Sequence, residues 1–437
     1  MRRGTLIAAV LLSVCAVSQA VTLQGAVSTA LSRRGDVSAA AAEARSARWD
    51  ERSADLWFLP SVSGTLAFQR SHDVQSMEVP GLGSIPLGSE YSSQAGIGVT
   101  VPLYVPQGPA GSGLASRATE LSSAQLKATE MDAVVQVVQA YYGVLVAQEL
   151  VAVAEEALSI AEEGYRLAQA RYDAGTISRF ELLQSRVAWE NRIPEAISAR
   201  SSLENARRGL SVSMGLADTV EMEVEGSLDD PVPGRLPEDL ETARRAMEES
   251  SPDLDIARGL REVGDAGVGL ARADLLPSLV FQTDYSYVAS RDDYHFRTDD
   301  YQRSWSSTIA LTVPIFTGLG DIAGYESARA DRVSSYSQAR SLEQGAGLSL
   351  VRAWNKLTET RQRVESTSAT VVQAQEAAEI ARVSYQAGTI TRLAMDQAFL
   401  ALTSARTNRA AALYDLRSAE IELMRAIGSM ALLTERG

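Results

Sequence analysis

Tyr172-Asp-Ala-Gly-Thr-Ile177 returns 213 residues later as Tyr385-Gln-Ala-Gly-Thr-Ile390. Both copies lie inside Ala-rich stretches of helical period, and each is followed by a second such stretch. The chain is therefore an internal duplicate, and each half holds a long helical hairpin with the same tip. Gly175 and Gly388 supply a tight, left-handed turn between antiparallel helices. Thr176, Ser178, Thr389 and Thr391 are candidate caps for the outgoing helices. Tyr172 and Tyr385 stand where they can hydrogen-bond across the pair.

The stretches before the tips carry a seven-residue repeat. Val137, Val144, Val151, Leu158, Tyr165 and Tyr172 are matched by Leu350, Leu357, Val364, Val371, Ala378 and Tyr385. Small residues, mostly alanine, follow three positions later. A sustained heptad is a coiled-coil seam, and small residues in it let helix backbones approach closely. The seam resumes after the tips, through Leu182, Trp189, Ala196, Leu203 and Leu210 in half one. In half two it runs through Met395, Leu402, Leu416 and Leu423, broken by Arg409. Pro194 falls inside the first of these helices, where half two has Thr407, and predicts a kink. Gly215 and Gly428 are the expected helix stops.

Upstream, Leu59-Pro60-Ser61 and Leu276-Pro277-Ser278 end Ala/Arg/Glu-rich helical runs, because proline cannot continue a helix. The period then becomes two. β-Hairpins are expected over 61–104 and 278–316. Val62, Leu66 and Phe68, with Ile97, Val99 and Val101, alternate with Ser, Thr, Gln and Gly. Leu279, Phe281 and Tyr285, with Trp305, Ile309, Leu311, Val313 and Ile315, do the same. Strands of about ten residues suit a tilted membrane crossing, with the polar face toward a water-filled lumen. Tyr285, Tyr287, Trp305 and Phe316 suit interfacial girdles. Four strands cannot close a barrel, which needs at least about eight, and lipid does not tolerate an open edge. Several chains must then share one barrel. Segments 72–93 and 290–303 read as exposed loops.

The resulting plan is a leader at 1–20, a first repeat at 21–215, a linker at 216–238, a second repeat at 239–428 and a tail at 429–437. Val220–Val224 reads as a short strand, with its linker lying outside the helical body. Arg2 and Arg3, the apolar run Leu6 to Val14 and Ser18-Gln-Ala20 make the leader an export signal. Leu12-Ser-Val-Cys15 is a rival lipidation signal. A net charge of −14 argues against nucleic acid as a partner. Cys15 is the single cysteine, and His72 and His295 are the only histidines. No disulfide, Cys or His metal site, Ser-His-Asp triad or cofactor is expected, and no catalytic residue is assigned. Glu155-Glu156 and Glu162-Glu163 follow solvated helix faces, so no enzyme is expected.

The paired Leu-Pro-Ser switches, the strand ends Val101-Pro-Leu-Tyr104 and Val313-Pro-Ile-Phe316, and the duplicated Tyr-x-Ala-Gly-Thr tips occur in the same order twice. In this the mature chain resembles the TolC-like outer-membrane efflux protein family. The resemblance implies a mainly α fold with a transmembrane β-hairpin pair. It implies a homotrimer with four strands per chain in a shared 12-stranded β-barrel. The duplicated hairpins would form a coiled-coil tunnel in the periplasm. The function implied is passive conduction in a tripartite efflux or type I secretion system. The partners implied are outer-membrane lipid, a periplasmic adaptor (membrane fusion) protein and an inner-membrane pump. Tyr172, Gly175, Thr176, Tyr385, Gly388 and Thr389 become the candidate adaptor-docking tips.

The family's acidic ring at the constriction is matched in part, by Glu181 and Asp396, since Ala394 stands where Glu181 would repeat. Arg179 and Arg392 are candidates to pair with these acids and hold the entrance closed. All four can also be read as exposed helix charges. The alternative for the whole chain is a structural or adhesive coiled-coil protein of the periplasm or surface. The four alternating strands argue against it.

Overall fold

The computed structural model describes residues 21–429 except 82, 87 and 219–221, so the expected leader and nearly all of the tail lie outside the described residues. Helix α1 (Leu23–Arg33) begins on Thr22, whose Oγ1 accepts from the Gly25 N–H at 3.2 Å. Helix α2 (Gly35–Asp55) follows, and the chain turns at Pro60 into strand β1 (Ser61–Arg70). Strand β4 (Tyr91–Tyr104) pairs with it across the segment that reads from sequence as an exposed loop. That loop holds a small antiparallel hairpin of its own, β2 (Ser76–Val79) and β3 (Gly83–Pro86). Helix α3 (Gln107–Asp173) and helix α4 (Arg179–Ser213) complete the first half.

The second half repeats this order with α5 (Leu240–Ser250), α6 (Pro252–Ala273), β5 (Ser278–Arg291), β6 (Gln302–Thr312), α7 (Gly320–Gln386) and α8 (Arg392–Ile427). Helices α3 and α7 are each 67 residues long and begin 213 apart, so every residue of one has a counterpart in the other. The stops also match, with Gly215 at φ 74° and Gly428 at φ 75°. Helix α4 continues through Pro194.

The chain divides into two units, and each takes matching segments from both halves. One contains 42–125 and 255–342 and carries an antiparallel sheet in the order β1-β4-β5-β6. Its register sets Gly64, Ile97, Tyr285 and Trp305 side by side on one face, and Ser63, Gly98, Asp284 and Ser306 on the other. Period-two alternation therefore yields one mainly apolar face, interrupted by Thr283, Ser307 and Arg303, and one mainly polar face. A Cβ on Gly98 would lie 2.7 Å from Asp284 Oδ1, so glycine there makes room for a polar neighbour. The apolar face is uncovered, with Leu66 at 85 % and Trp305 at 76 % exposure. Strand β6 stops at Thr312, short of the expected Phe316, because Pro314 has no N–H for the ladder. Strand β4 instead passes Pro102 with a register shift.

The other unit contains residues up to 41, 126–254 and those from 343 onward. Its core joins Val27, Val134, Val137, Val138, Val144, Leu210, Ile421 and Met424, each worth roughly 1.5–3 kcal/mol on burial. The buried stripe of α3 here is wider than a heptad seam, because α1 and the segment after Met222 also pack on it. That segment was expected outside the helical body, yet Met222, Val224, Leu228 and Val232 are buried. Polar groups hold it in place. Arg417 Nε donates to Leu228 O at 3.1 Å and Nη2 to Asp229 O at 3.0 Å. Glu420 pairs with Arg417 at 2.8 Å and accepts from the Val232 N–H. The Tyr142 hydroxyl donates to Asp230 O, and burial pushes its phenol up to about 12. Among the described residues no helix is long and apolar enough to cross a membrane.

Candidate functional site at the helical tips

The two tips have the same backbone. Gly175 (φ 74°) donates its N–H to Tyr172 O at 2.9 Å, and the Thr176 N–H reaches Arg171 O at 2.9 Å. Gly388 (φ 75°) donates to Tyr385 O at 3.0 Å, and Thr389 to Ser384 O at 2.9 Å. Each is a Schellman closure with glycine in the left-handed position. Thr176 and Thr389 are expected from sequence to cap the outgoing helices, but they finish the incoming ones instead. Their hydroxyls donate to the same Arg171 and Ser384 carbonyls at 2.8 and 2.9 Å. Ser178 and Thr391 are the true N-caps, accepting from the Glu181 and Ala394 N–H groups at 3.2 and 3.3 Å.

The side chains around this shared frame differ. Tyr172 is 37 % exposed, whereas Tyr385 is 5 % exposed and packs with Ala381 and Met395. No hydrogen bond joins the two tyrosines. Instead the Arg171 guanidinium lies over the Tyr385 ring, 4.9 Å from its centroid. The heptad reading does bring Tyr165 and Trp189 together, stacked with centroids 5.3 Å apart.

Arg179 and Arg392 occupy equivalent positions, each the first residue after its N-cap. Arg179 is exposed, and Arg392 is only 6 % exposed. Arg392 Nε donates to Asp396 Oδ1 at 2.8 Å, and its Nη1 donates to Gly164 O at 3.1 Å and Ser185 Oγ at 3.3 Å. The buried Ser185 hydroxyl donates to Glu181 O at 3.0 Å. One side chain of α8 thus joins both helices of the other hairpin. Burying a cation is tolerable only with a partner charge and hydrogen bonds, and Arg392 has both.

The expected ion pairing holds for Arg392 and Asp396, which are four apart on one helix face. No ion pair joins Arg179 to Glu181, because residues two apart on a helix point in different directions. Above Arg392, Arg406 pairs with Glu156 and bridges the hairpins again. Between these links lies a cavity of about 430 Å³ whose lining includes Ile160, Leu167, Tyr385, Met395 and Phe399. Glu379 and Arg382 also line it. The hydrogen bond from Arg382 holds the Glu379 carboxyl below the usual carboxylate range. Gly164 and Ser185 were not singled out from sequence. The signal for them was the duplication, since their counterparts are Ala377 and Ala398.

Twin helical hairpins on a shared-register frame, with a four-stranded sheet that is apolar on one face and open at both edges, define a fold of repeated halves that is unfinished as a single chain. Residues 26–216 and 244–429 match the family described as outer membrane efflux protein, and the chain belongs to that family. It is 27 % identical over 299 residues to the cobalt-zinc-cadmium resistance protein CzcC of Cupriavidus metallidurans, covering 67 % of this chain and 66 % of that one. It is 22 % identical over 341 residues to the outer membrane protein TolC of Vibrio cholerae, covering 77 % of each. Among solved structures, the CmeC outer membrane channel of Campylobacter jejuni has the same fold, with a TM-score of 0.80 at 16 % identity over 93 % of this chain and 85 % of that one. CusC superposes with a TM-score of 0.77 at 19 % identity, over 93 % and 92 %.

Proposed function

We propose that this chain is one subunit of an outer-membrane channel-tunnel that conducts substrates passively in a tripartite efflux or type I secretion system. The carrying observation is the unfinished sheet. Its apolar face is exposed, β1 and β6 are each paired on one edge only, and lipid does not tolerate open edges. Three chains supplying four strands each would close a barrel of twelve, within the range of bacterial outer-membrane barrels. The polar face would then line a lumen, and the helical hairpins would extend it through the periplasm. Energy would come from an inner-membrane pump, reached through a periplasmic adaptor that engages the tips around Tyr172, Gly175, Thr176, Tyr385, Gly388 and Thr389. Arg179, Glu181, Arg392 and Asp396 would form the inner gate. This reading assigns no chemistry to the chain.

The test is purified protein in a planar lipid bilayer with potassium chloride on both sides. Discrete conductance steps are expected, and Glu181→Ala or Asp396→Ala should weaken cation preference and inhibition by divalent ions. A non-conducting product would overturn the channel. Unchanged ion preference in both variants would overturn the gate alone.

A further inference from the structure

The polar side chains on the apolar face of the sheet differ in whether the chain itself satisfies them. Near the middle of the face, the Trp305 indole N–H donates to Thr283 Oγ1 at 3.0 Å, and the Thr283 and Ser307 hydroxyls share a hydrogen bond at 2.9 Å. Three arginines stand on the same face toward the loop end of the strands. Arg70 pairs with Glu90 at 2.7 Å, and Arg291 pairs with Asp300 at 2.7 Å and Asp293 at 3.1 Å. Arg303 is exposed and, among the described residues, makes no ion pair and no hydrogen bond. In lipid every other polar group of this face has a partner, and this one must find its own outside the chain.

Depth decides what Arg303 meets. Val313 lies ten residues further along the same run. At about 3.3 Å per residue and a tilt of about 40°, Arg303 stands roughly 25 Å from it along the bilayer normal. That is the height of the apolar band of an outer-membrane barrel, so Arg303 reaches the far interface. A cation is costly at the midplane and tolerated at the interface, where its stem lies along apolar surface and its head reaches out. There a planar guanidinium meets phosphate, which it binds through two parallel hydrogen bonds. Tyr287, directly opposite Arg303 on β5, supplies a further donor. Its hydroxyl and that of Tyr285 lie 3.0 Å apart, and with Tyr285 donating, the Tyr287 proton is left for an outside acceptor. The adjoining loop carries Asp292, Asp293, Asp299 and Asp300, so the attraction is a point contact and not a broad basic field.

We infer that Arg303 and Tyr287 seat the phosphate of an anionic lipid in the outer leaflet, one per chain. The inference rests on the channel reading above, which puts this face in lipid.

Trp305, two residues from Arg303 on the same face, serves as the reporter. The full chain is placed in phosphatidylcholine nanodiscs that contain a small share of either phosphatidic acid or phosphatidylcholine with brominated acyl chains, which quench tryptophan on contact. Trp305→Phe, run in parallel, isolates the Trp305 signal. Brominated phosphatidic acid should quench Trp305 about fivefold more efficiently than brominated phosphatidylcholine, the preference that one arginine gives at an anionic interface. Arg303→Gln should bring the ratio to about one, Arg303→Lys should keep part of it, and Tyr287→Phe should lower it about twofold. Arg70→Gln should leave it unchanged, and so should replacing chloride by inorganic phosphate at constant ionic strength. Equal quenching by the two lipids in the parent protein overturns the inference. So does a preference that persists in Arg303→Gln or that inorganic phosphate abolishes. If neither brominated lipid quenches Trp305, the face is not in lipid, and the channel reading falls with the inference.

Discussion

The two helical tips share a backbone to within a degree at their glycines, yet one arginine is solvated and its counterpart is buried. Turn chemistry therefore sets where the hairpin reverses, and residues far along the chain set what the tip holds. Arg392 is buried because Gly164 leaves room and a carbonyl, because Ser185 offers a hydroxyl, and because Asp396 lies one turn on. None of these has an equivalent around Arg179.

The largest expected difference between the tips follows from charge. Asp396→Ala strands Arg392 and should cost about 2–3 kcal/mol, less than a fully buried pair because Asp396 is 38 % exposed. Glu181→Ala, with no ion-pair partner, should change stability by less than about 0.5 kcal/mol. Denaturant midpoints followed by circular dichroism check both, and equal losses would erase the distinction.

A second contrast concerns space. Gly164→Ala gains about 1 kcal/mol of helix propensity and loses about 1–3 kcal/mol to crowding against Arg392. It should be destabilising with Arg392 present and stabilising by about 1 kcal/mol in an Arg392→Ala background. Ala377→Gly should cost about 1 kcal/mol in either background. A double-mutant cycle reads the coupling, and additivity at Gly164 would show that the guanidinium is not seated there.

Where the tips are alike, the effects should match. Ser178→Ala and Thr391→Ala each remove an N-cap and should each cost about 1 kcal/mol. Unequal losses would point to a further role for one cap.

The smallest effect is a pH dependence. Arg382 lowers the folded pKa of Glu379, so its stabilising contribution is present above the ordinary value of 4.5 and is lost as pH falls through the lowered folded value. Glu379→Gln should lower the unfolding midpoint slightly near neutral pH and match the parent in acid.

Much of this was legible in the chain itself. The repeated hexapeptide, the heptads and the two Leu-Pro-Ser sites located the helices, the tips and the sheet, because local period and proline geometry decide those. The strand faces followed from alternation, and the register then aligned them across four strands. Three features were not legible. The small β2–β3 hairpin has no alternation strong enough to mark it. Residues after Met222 looked like a surface linker because their apolar positions are sparse, and tertiary packing with Arg417 and Glu420 buries them. Arg392 follows its N-cap as Arg179 does, and Asp396 four residues on is legible as its partner, but Gly164 and Ser185, which complete its seat, lie far along the chain.

The channel reading rests on one structural deduction, that four strands with two open edges cannot stand alone in a membrane. Native mass spectrometry of the protein extracted from membranes in mild detergent tests it most directly. Three copies of this chain are expected. A stable monomer would contradict it.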